Sequence, residues 1–218
     1  MDKDRITIII CCAGMGTRLG IGTTKALVDI NGSPLIKQQL KILGSYDDVR
    51  VVVGYHAENV INTVNQNRKD VMFCFNYEYK STGVAASLGK GLLGAREYVI
   101  CMDGDFLITQ DDFEKIANCD GECLAISDID TDEPVRVEVE EDKVCSFSQN
   151  GTYGWSGLAK IKRDNFKLST NHTYEMIEHL LPLKAIKVNS CEIDTQDDYE
   201  KALMWYMKNI NGRINDND

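Results

Sequence analysis

The sequence is short of positive charge, proline and histidine, and each shortage removes a class of protein. Its 218 residues carry 24 Lys and Arg against 34 Asp and Glu, a formal net charge of −10. A chain of that sign has no basic field to condense along a nucleic-acid backbone, so general DNA or RNA binding is excluded. Any phosphate it handles must be gripped locally. With three prolines there is no Pro-rich linker, and no repeat or low-complexity insert divides the chain. One domain over residues 1–210 with a flexible tail at 211–218 is expected. His56, His172 and His179 do not fall at metal-ligand spacing. No apolar run approaches the ~20 residues of a membrane helix, and the stretch from Ile6 to Ala13 has no cleavage site behind it. These absences predict a cytoplasmic protein without a membrane partner. Eight cysteines are present, but no CxxC pair, and Cys11, Cys12, Cys74 and Cys101 sit inside apolar runs, so reduced and mostly buried thiols are expected.

What is abundant is short β-branched runs: Ile6 to Cys12, Val49 to Val53, Val71 to Phe75, Tyr98 to Met102 and Cys123 to Ile126. Each is continuous rather than alternating, which suits strands covered on both faces. Helical spacing of apolar residues appears between them, from Pro34 through Leu43, from Glu58 to Asn67 and from Val84 to Ala95. Alternation of this kind predicts an α/β fold, a Rossmann-like, mostly parallel mixed sheet flanked by helices. The second half differs. Val135, Val137 and Val139 alternate with charged residues, and Glu141-Asp142-Lys143 turns the chain into Val144 to Phe147, a hairpin with one wet face. A further strand is expected over Trp155 to Ile161, with helices over Tyr174 to Leu181 and Gln196 to Asn209.

The most informative segment follows the first strand: Ala13-Gly-Met-Gly-Thr-Arg-Leu-Gly20, then Lys25-Ala-Leu-Val. Gly14 and Gly16 let backbone N–H groups come close to an anion at a strand's carboxyl end, and Arg18 and Lys25 add two cations. The spacing GxGxxxG is not the dinucleotide fingerprint, and the Gly-Lys-Ser/Thr of a Walker loop is missing. A second feature is Asp103-Gly-Asp105 at the end of a predicted interior strand, hard oxygen ligands of the kind Mg²⁺ takes with water and phosphate.

Together with Asn31-Gly-Ser-Pro-Leu-Ile36, this opening resembles the nucleotidyltransferases that activate phosphorylated small molecules, among them sugar-1-phosphate nucleotidyltransferases and CTP:phosphocholine cytidylyltransferases. Thr24 stands where many members have proline before the lysine. Asp194-Thr195 followed by Asp198-Tyr199 and Ala202 resembles their second metal-ligand segment, and Asn76 to Leu88 resembles the segment laid against the base. The resemblance implies nucleotide contacts at Ala13, Gly14, Met15, Gly16, Thr17, Arg18, Thr82, Gly83, Ser87 and Asp103, with Arg18 and Lys25 catalytic. It implies Mg²⁺ as cofactor, held by Asp105 and Asp194, although Asp194 or Thr195 can also be read as the cap of the last helix. Thr82 has the same second reading. Arg136, Tyr153 and Trp155 are the acceptor candidates, Trp155 being equally suited to the core, and the hairpin is expected over the acceptor site.

The function so implied is transfer of a nucleoside monophosphate, CMP for preference, from an NTP to a phosphorylated or phosphonate small molecule, with release of pyrophosphate. A metal-dependent glycosyltransferase of the related fold and a non-catalytic nucleotide-binding subunit are the alternatives, and homo-oligomer formation is left open. The charge is unevenly divided. Residues 128–142 hold eight acids against Arg136, while residues 1–41 hold six cations against three acids. Positive charge is kept where a triphosphate would sit.

Overall fold

The computed structural model describes residues 2–20, 22–131 and 133–211. The chain opens with strand β1 (Ile6–Cys12), which puts Ile8 and Ile10 on one face of the sheet and Ile9 on the other. Two short strands, β2 (Asp29–Ile30) and β3 (Ser33–Pro34), close around Asn31 and Gly32 and lead into helix α1 (Leu35–Ile42). Then come β4 (Val49–Val53), α2 (Ala57–Asn67), β5 (Val71–Phe75), α3 (Val84–Leu92) and β6 (Tyr98–Asp103). In the register of the parallel strands, Ile10 lies beside both Val51 and Met102. The carboxyl ends of β1, β4 and β6 therefore share one rim, the place where open α/β sheets bind ligands.

The second half continues with β7 (Phe106–Ile108), α4 (Gln110–Ala117), β8 (Cys123–Ile126), β9 (Arg136–Glu140), β10 (Lys143–Phe147), β11 (Tyr153–Gly154), β12 (Ala159–Lys162), β13 (Leu183–Lys187), β14 (Ser190–Glu192) and α5 (Gln196–Tyr206). Ten strands form one sheet in the order β11-β9-β10-β13-β8-β12-β6-β1-β4-β5, and β7 and β14 form a separate ladder. The helices cover both faces: α1, α2 and α4 pack on the Ile8 and Ile10 side, and α3 packs on Ile9. Each large aliphatic side chain buried there stabilises the fold by about 1.5–3 kcal/mol.

The predicted parallel strands and their helices are present, with four differences. The run at Val71–Phe75 is not covered on both faces; β5 is the sheet's edge, and Met72 and Phe75 are exposed. The strand expected over Trp155 to Ile161 begins at Ala159, because Gly157 takes φ +79° and the Trp155 indole N–H closes the loop onto the Leu158 carbonyl at 3.1 Å. The helix expected over Tyr174 to Leu181 is reduced to two 3₁₀ turns, since Pro182 holds Leu181 in an extended conformation. The hairpin joins the main sheet at its edge. Its Glu141-Asp142 turn has positive φ at both positions, as two-residue hairpins require. Gly94 at φ +65° follows the end of α3 at Leu92, short of Ala95. The expected tail from Gly212 onward lies outside the described residues, while Asn211 still ends a widened turn after α5.

Two cations on the sheet tie helix ends to it. Arg50, buried in β4, donates to the carbonyls of Gly91, Leu93 and Gly94 at the C-terminal end of α3 at 2.7–2.9 Å and pairs with Asp48. Lys160, fully buried in β12, donates to Ala117 and Cys119 at the end of α4 at 2.8 and 2.7 Å. Both satisfy carbonyls that a helix terminus leaves open. The cysteines are all free thiols, five of them buried and Cys145 exposed.

Candidate active site

A cavity of about 590 Å³ opens at the rim where β1 and β6 end. Its floor at one side is the loop after β1. Gly16 there takes φ +60°, and a side chain at this position would press within 3.0 Å of the Lys25 Cγ. Glycine thus permits both the turn and the close pass of the lysine. Arg18 follows on a short 3₁₀ turn, Thr17–Leu19.

Two acidic segments face this loop, and the β7–β14 ladder explains why residues so far apart in sequence meet. Phe106 pairs with Glu192, and the Ile193 N–H donates to the Asp105 carbonyl at 2.9 Å, so Asp105 and Asp194 emerge side by side. Lys25 Nζ lies between them, 3.0 Å from Asp105 Oδ2 and hydrogen-bonded to Asp194 Oδ1. Arg18 spans Asp194 Oδ1 at 2.9 Å and Glu133 Oε2 at 3.0 Å. Burial alone would lower the pKa of the Lys25 ammonium; Asp105 and then Asp194 outweigh it and raise it. The capping question is settled by the last helix: Thr195 Oγ1 accepts the Asp198 N–H and Asp198 accepts the Thr195 N–H. Thr195 is the cap, and the Asp194 carboxylate is left to the cations.

Residues that the sequence reading passed over shape this acidic turn. Gln39, buried in α1, donates to the carbonyls of Asp103 and Phe106, each at 3.0 Å, and so fixes the turn between them. Gly157 admits the Asp103 carboxylate, whose Oδ2 would lie 2.1 Å from any Cβ there. Burial, with Asp105 beside it, raises the Asp103 carboxyl pKa. Glu192, partly accessible from the cavity, is pushed up to about 9 by burial and by Asp105, Asp194 and Asp103.

The opposite wall comes from the segment before α3. Asn76 donates to Thr82 Oγ1 at 3.1 Å and Ser87 Oγ at 3.0 Å, and its Oδ1 accepts the Glu78 N–H. Thr82 in turn donates to the Glu78 carbonyl. Its hydroxyl is therefore spent on holding the loop, and the cap of α3 is Gly83 rather than Thr82. The Gly83 and Ala85 N–H groups donate to the carbonyls of Thr170 and Asn171, which carries a strap from the second half over the start of α3.

Of the expected nucleotide residues, Ala13, Gly14, Gly16, Thr17, Arg18, Thr82, Gly83, Ser87 and Asp103 line the cavity, as do Lys25, Asp105 and Asp194. Met15 is 36% exposed and does not. At the far end Trp155 lines the cavity, buried against Phe147. Arg136 and Tyr153 do not reach it: Arg136 donates to the Gly151 carbonyl at 3.3 Å, and the Tyr153 ring lies under Lys187. Their places are taken by His172 and Tyr174, stacked with centroids 5.1 Å apart, and by Tyr79. His172 gave no signal in the sequence, being an isolated histidine on a strap. The hairpin likewise stays off the cavity, where Glu133 and Val135 just before it are the contributors.

Among the described residues no group of three or more His, Cys, Asp or Glu side chains is arranged to cage a metal. A Mg²⁺ that keeps its waters and takes phosphate oxygens needs just one or two protein carboxylates. The pair Asp105 and Asp194 already holds a cationic ammonium between them, so the donor set fits such an ion.

Residues 8–138 match the family described as the MobA-like NTP transferase domain, and the chain belongs to that family. It is 26% identical over 144 residues to the bifunctional protein GlmU of a Sulfurovum species, covering 64% of this chain and 33% of that one. The chain thus spans about a third of the length of that curated relative. Its fold is shared with the CTP:phosphocholine cytidylyltransferase of Streptococcus pneumoniae (TM-score 0.73, 23% identity, 92% of this chain and 98% of that one). The inositol-1-phosphate CTP transferase of T. maritima shares it too (TM-score 0.76, 17% identity, 94% and 96%). Among the described residues no helix is long and apolar enough to cross a membrane.

Proposed function

We propose that this nucleotidyltransferase moves a cytidylyl group from CTP to a phosphorylated or phosphonate small molecule in the cytoplasm, giving a CDP-linked product and pyrophosphate. The observation that carries the reading is the convergence of Lys25 and Arg18 on the Asp105–Asp194 pair beside the Gly14–Gly16 turn. An oxygen of the acceptor's phosphate attacks the α-phosphorus, a new P–O bond forms there, and the bond from the α-phosphorus to the oxygen of the β-phosphate breaks. The nucleophile is already an anion, so no proton has to be removed. Lys25 and Arg18 draw the mutually repelling phosphates together and stabilise the charge that develops on the leaving pyrophosphate. Asp105 and Asp194 would hold Mg²⁺, whose contribution when bound is further neutralisation of phosphate charge.

CTP is favoured by the Asn76–Leu88 segment and by the two CTP-using enzymes among the shared folds. A Bacillus anthracis protein assigned as a glucose-1-phosphate thymidylyltransferase shares the fold, which makes the base the first thing to measure. For the acceptor, the lining offers the rings of Trp155, His172 and Tyr174; the remaining acids, Glu133 and Glu192, lie beside Arg18 and the Asp105–Asp194 pair. Among the described lining residues Arg18 and Lys25 alone are Lys or Arg, and both face the phosphates. This favours an acceptor whose body beyond the phosphate is uncharged or cationic over one with a second anionic group. A matrix of four NTPs against phospho-amines, a phosphonate and sugar phosphates, read by pyrophosphate release, tests the reading. Pyrophosphate from CTP with one of these acceptors supports it; no pyrophosphate from any pair, with NDP released when NDP-sugars are supplied as donors instead, overturns it in favour of glycosyl transfer.

A further inference from the structure

The position of Lys25 has a consequence for how the site is loaded. Its ammonium sits between Asp105 and Asp194, the two carboxylates that would ligate a divalent cation, with Arg18 on the same Asp194 oxygen. The Lys25 and Asp194 side chains are 13% and 12% exposed, so their attraction is little screened by solvent. A divalent cation approaching the free protein meets a carboxylate pair most of whose charge is already offset by one ammonium and a share of a guanidinium. A triphosphate offers those two cations a denser set of oxygens. Once they turn to it, both carboxylates are exposed and the metal's ligands become available. Arg18 has a second tether in Glu133, and that bridge is exposed enough to give way easily.

We propose that Lys25, helped by Arg18, keeps the carboxylate pair closed to a free divalent cation, and that a triphosphate opens it by drawing both cations onto its own oxygens. Lys25 is then a gate as well as a catalytic group. Metal and nucleotide binding are coupled through one ion-pair exchange, and the coupling is reciprocal. The inference rests on the assignment of Asp105 and Asp194 as the metal's ligands.

The test uses the whole protein and Mn²⁺ as the probe, with free Mn²⁺ followed by electron paramagnetic resonance. Without nucleotide, Lys25→Met is expected to bind Mn²⁺ at least ~10-fold more tightly than the wild type, the scale set by removing a charge a few ångströms from the ion. Lys25→Arg, which keeps the cation, is expected to stay as closed as the wild type. Adding α,β-methylene CTP to the wild type is expected to immobilise more Mn²⁺ than protein and nucleotide hold separately. Arg18→Met gives the same readout in weaker form and serves if Lys25→Met does not fold, as judged by circular dichroism. Equal Mn²⁺ affinity in wild type, Lys25→Met and Arg18→Met without nucleotide would overturn the gate and leave the metal ligands standing. No Mn²⁺ bound by Lys25→Met, and none by the nucleotide-loaded wild type beyond what the nucleotide holds alone, would remove Asp105 and Asp194 as ligands, and the gate with them.

Discussion

Lys25 and Lys160 are both enclosed lysines, and their partners set them apart. Lys160 donates to two carbonyl oxygens at the end of α4, and burial lowers the pKa of its ammonium. Lys25 lies between two carboxylates, which raise its pKa against the same penalty. Carbonyls are dipoles that no ligand removes, so Lys160 is a permanent part of the fold. Carboxylates carry charge that another cation can claim, so Lys25 is exchangeable. The chemistry of the partner, more than the depth of burial, separates a cation fixed in the fold from one free to take another anion.

The sharpest way to break this comparison is to delete each ammonium in turn. Lys25→Met is expected to cut kcat/KM by at least ~10² while the protein stays folded; steady-state kinetics beside a thermal melt would expose a merely structural role. Lys160→Met is expected to do the reverse, costing about 1–3 kcal/mol in urea unfolding because two buried carbonyls lose their donor, with KM values unchanged. Gln39→Leu probes the acidic turn from behind. It should lower kcat/KM by roughly 10-fold, the order of one or two lost hydrogen bonds, without touching the cavity wall.

The acids supply a pH test. Asp103 and Glu192 have pKa values raised by burial, Glu192 to about 9, so the folded state holds their protons more tightly than the unfolded chain. Stability of the metal-free protein is therefore expected to fall as pH rises from the ordinary carboxylate range toward 9. Glu192→Gln should flatten that decline, as read by melting temperature between pH 6 and 9. The smallest effect belongs to Glu133→Gln. Its bridge to Arg18 is exposed, worth about 0–1 kcal/mol, so the KM for the triphosphate should shift by no more than a few-fold and lose that shift in salt.

Much of this arrangement is legible in the sequence. Continuous apolar runs such as Tyr98–Met102 mark interior strands because both faces must be apolar, and the Gly14–Lys25 and Asp103–Asp105 segments announce themselves as short-range motifs. Three things are hidden. Short strands such as β7 and β14 have too few residues to show a period, yet their pairing brings Asp105 to Asp194. Helix α4 is carried by few apolar residues, Phe113, Ile116 and Ala117, behind a Thr109 cap. The acceptor wall depends on which way side chains leave a loop. Tyr153 faces Lys187 while Trp155, two residues on, lines the cavity together with rings from other segments, and composition cannot encode that choice.

The strap that hands the Thr170 and Asn171 carbonyls to the start of α3 bears on how such enzymes can be recombined. The cavity wall that carries His172 and Tyr174 and the start of α3 share those two hydrogen bonds. An exchange of second halves between relatives would have to move the strap together with Gly83 and Ala85, so the natural cut point for a chimera lies outside that contact, not at the midpoint of the chain.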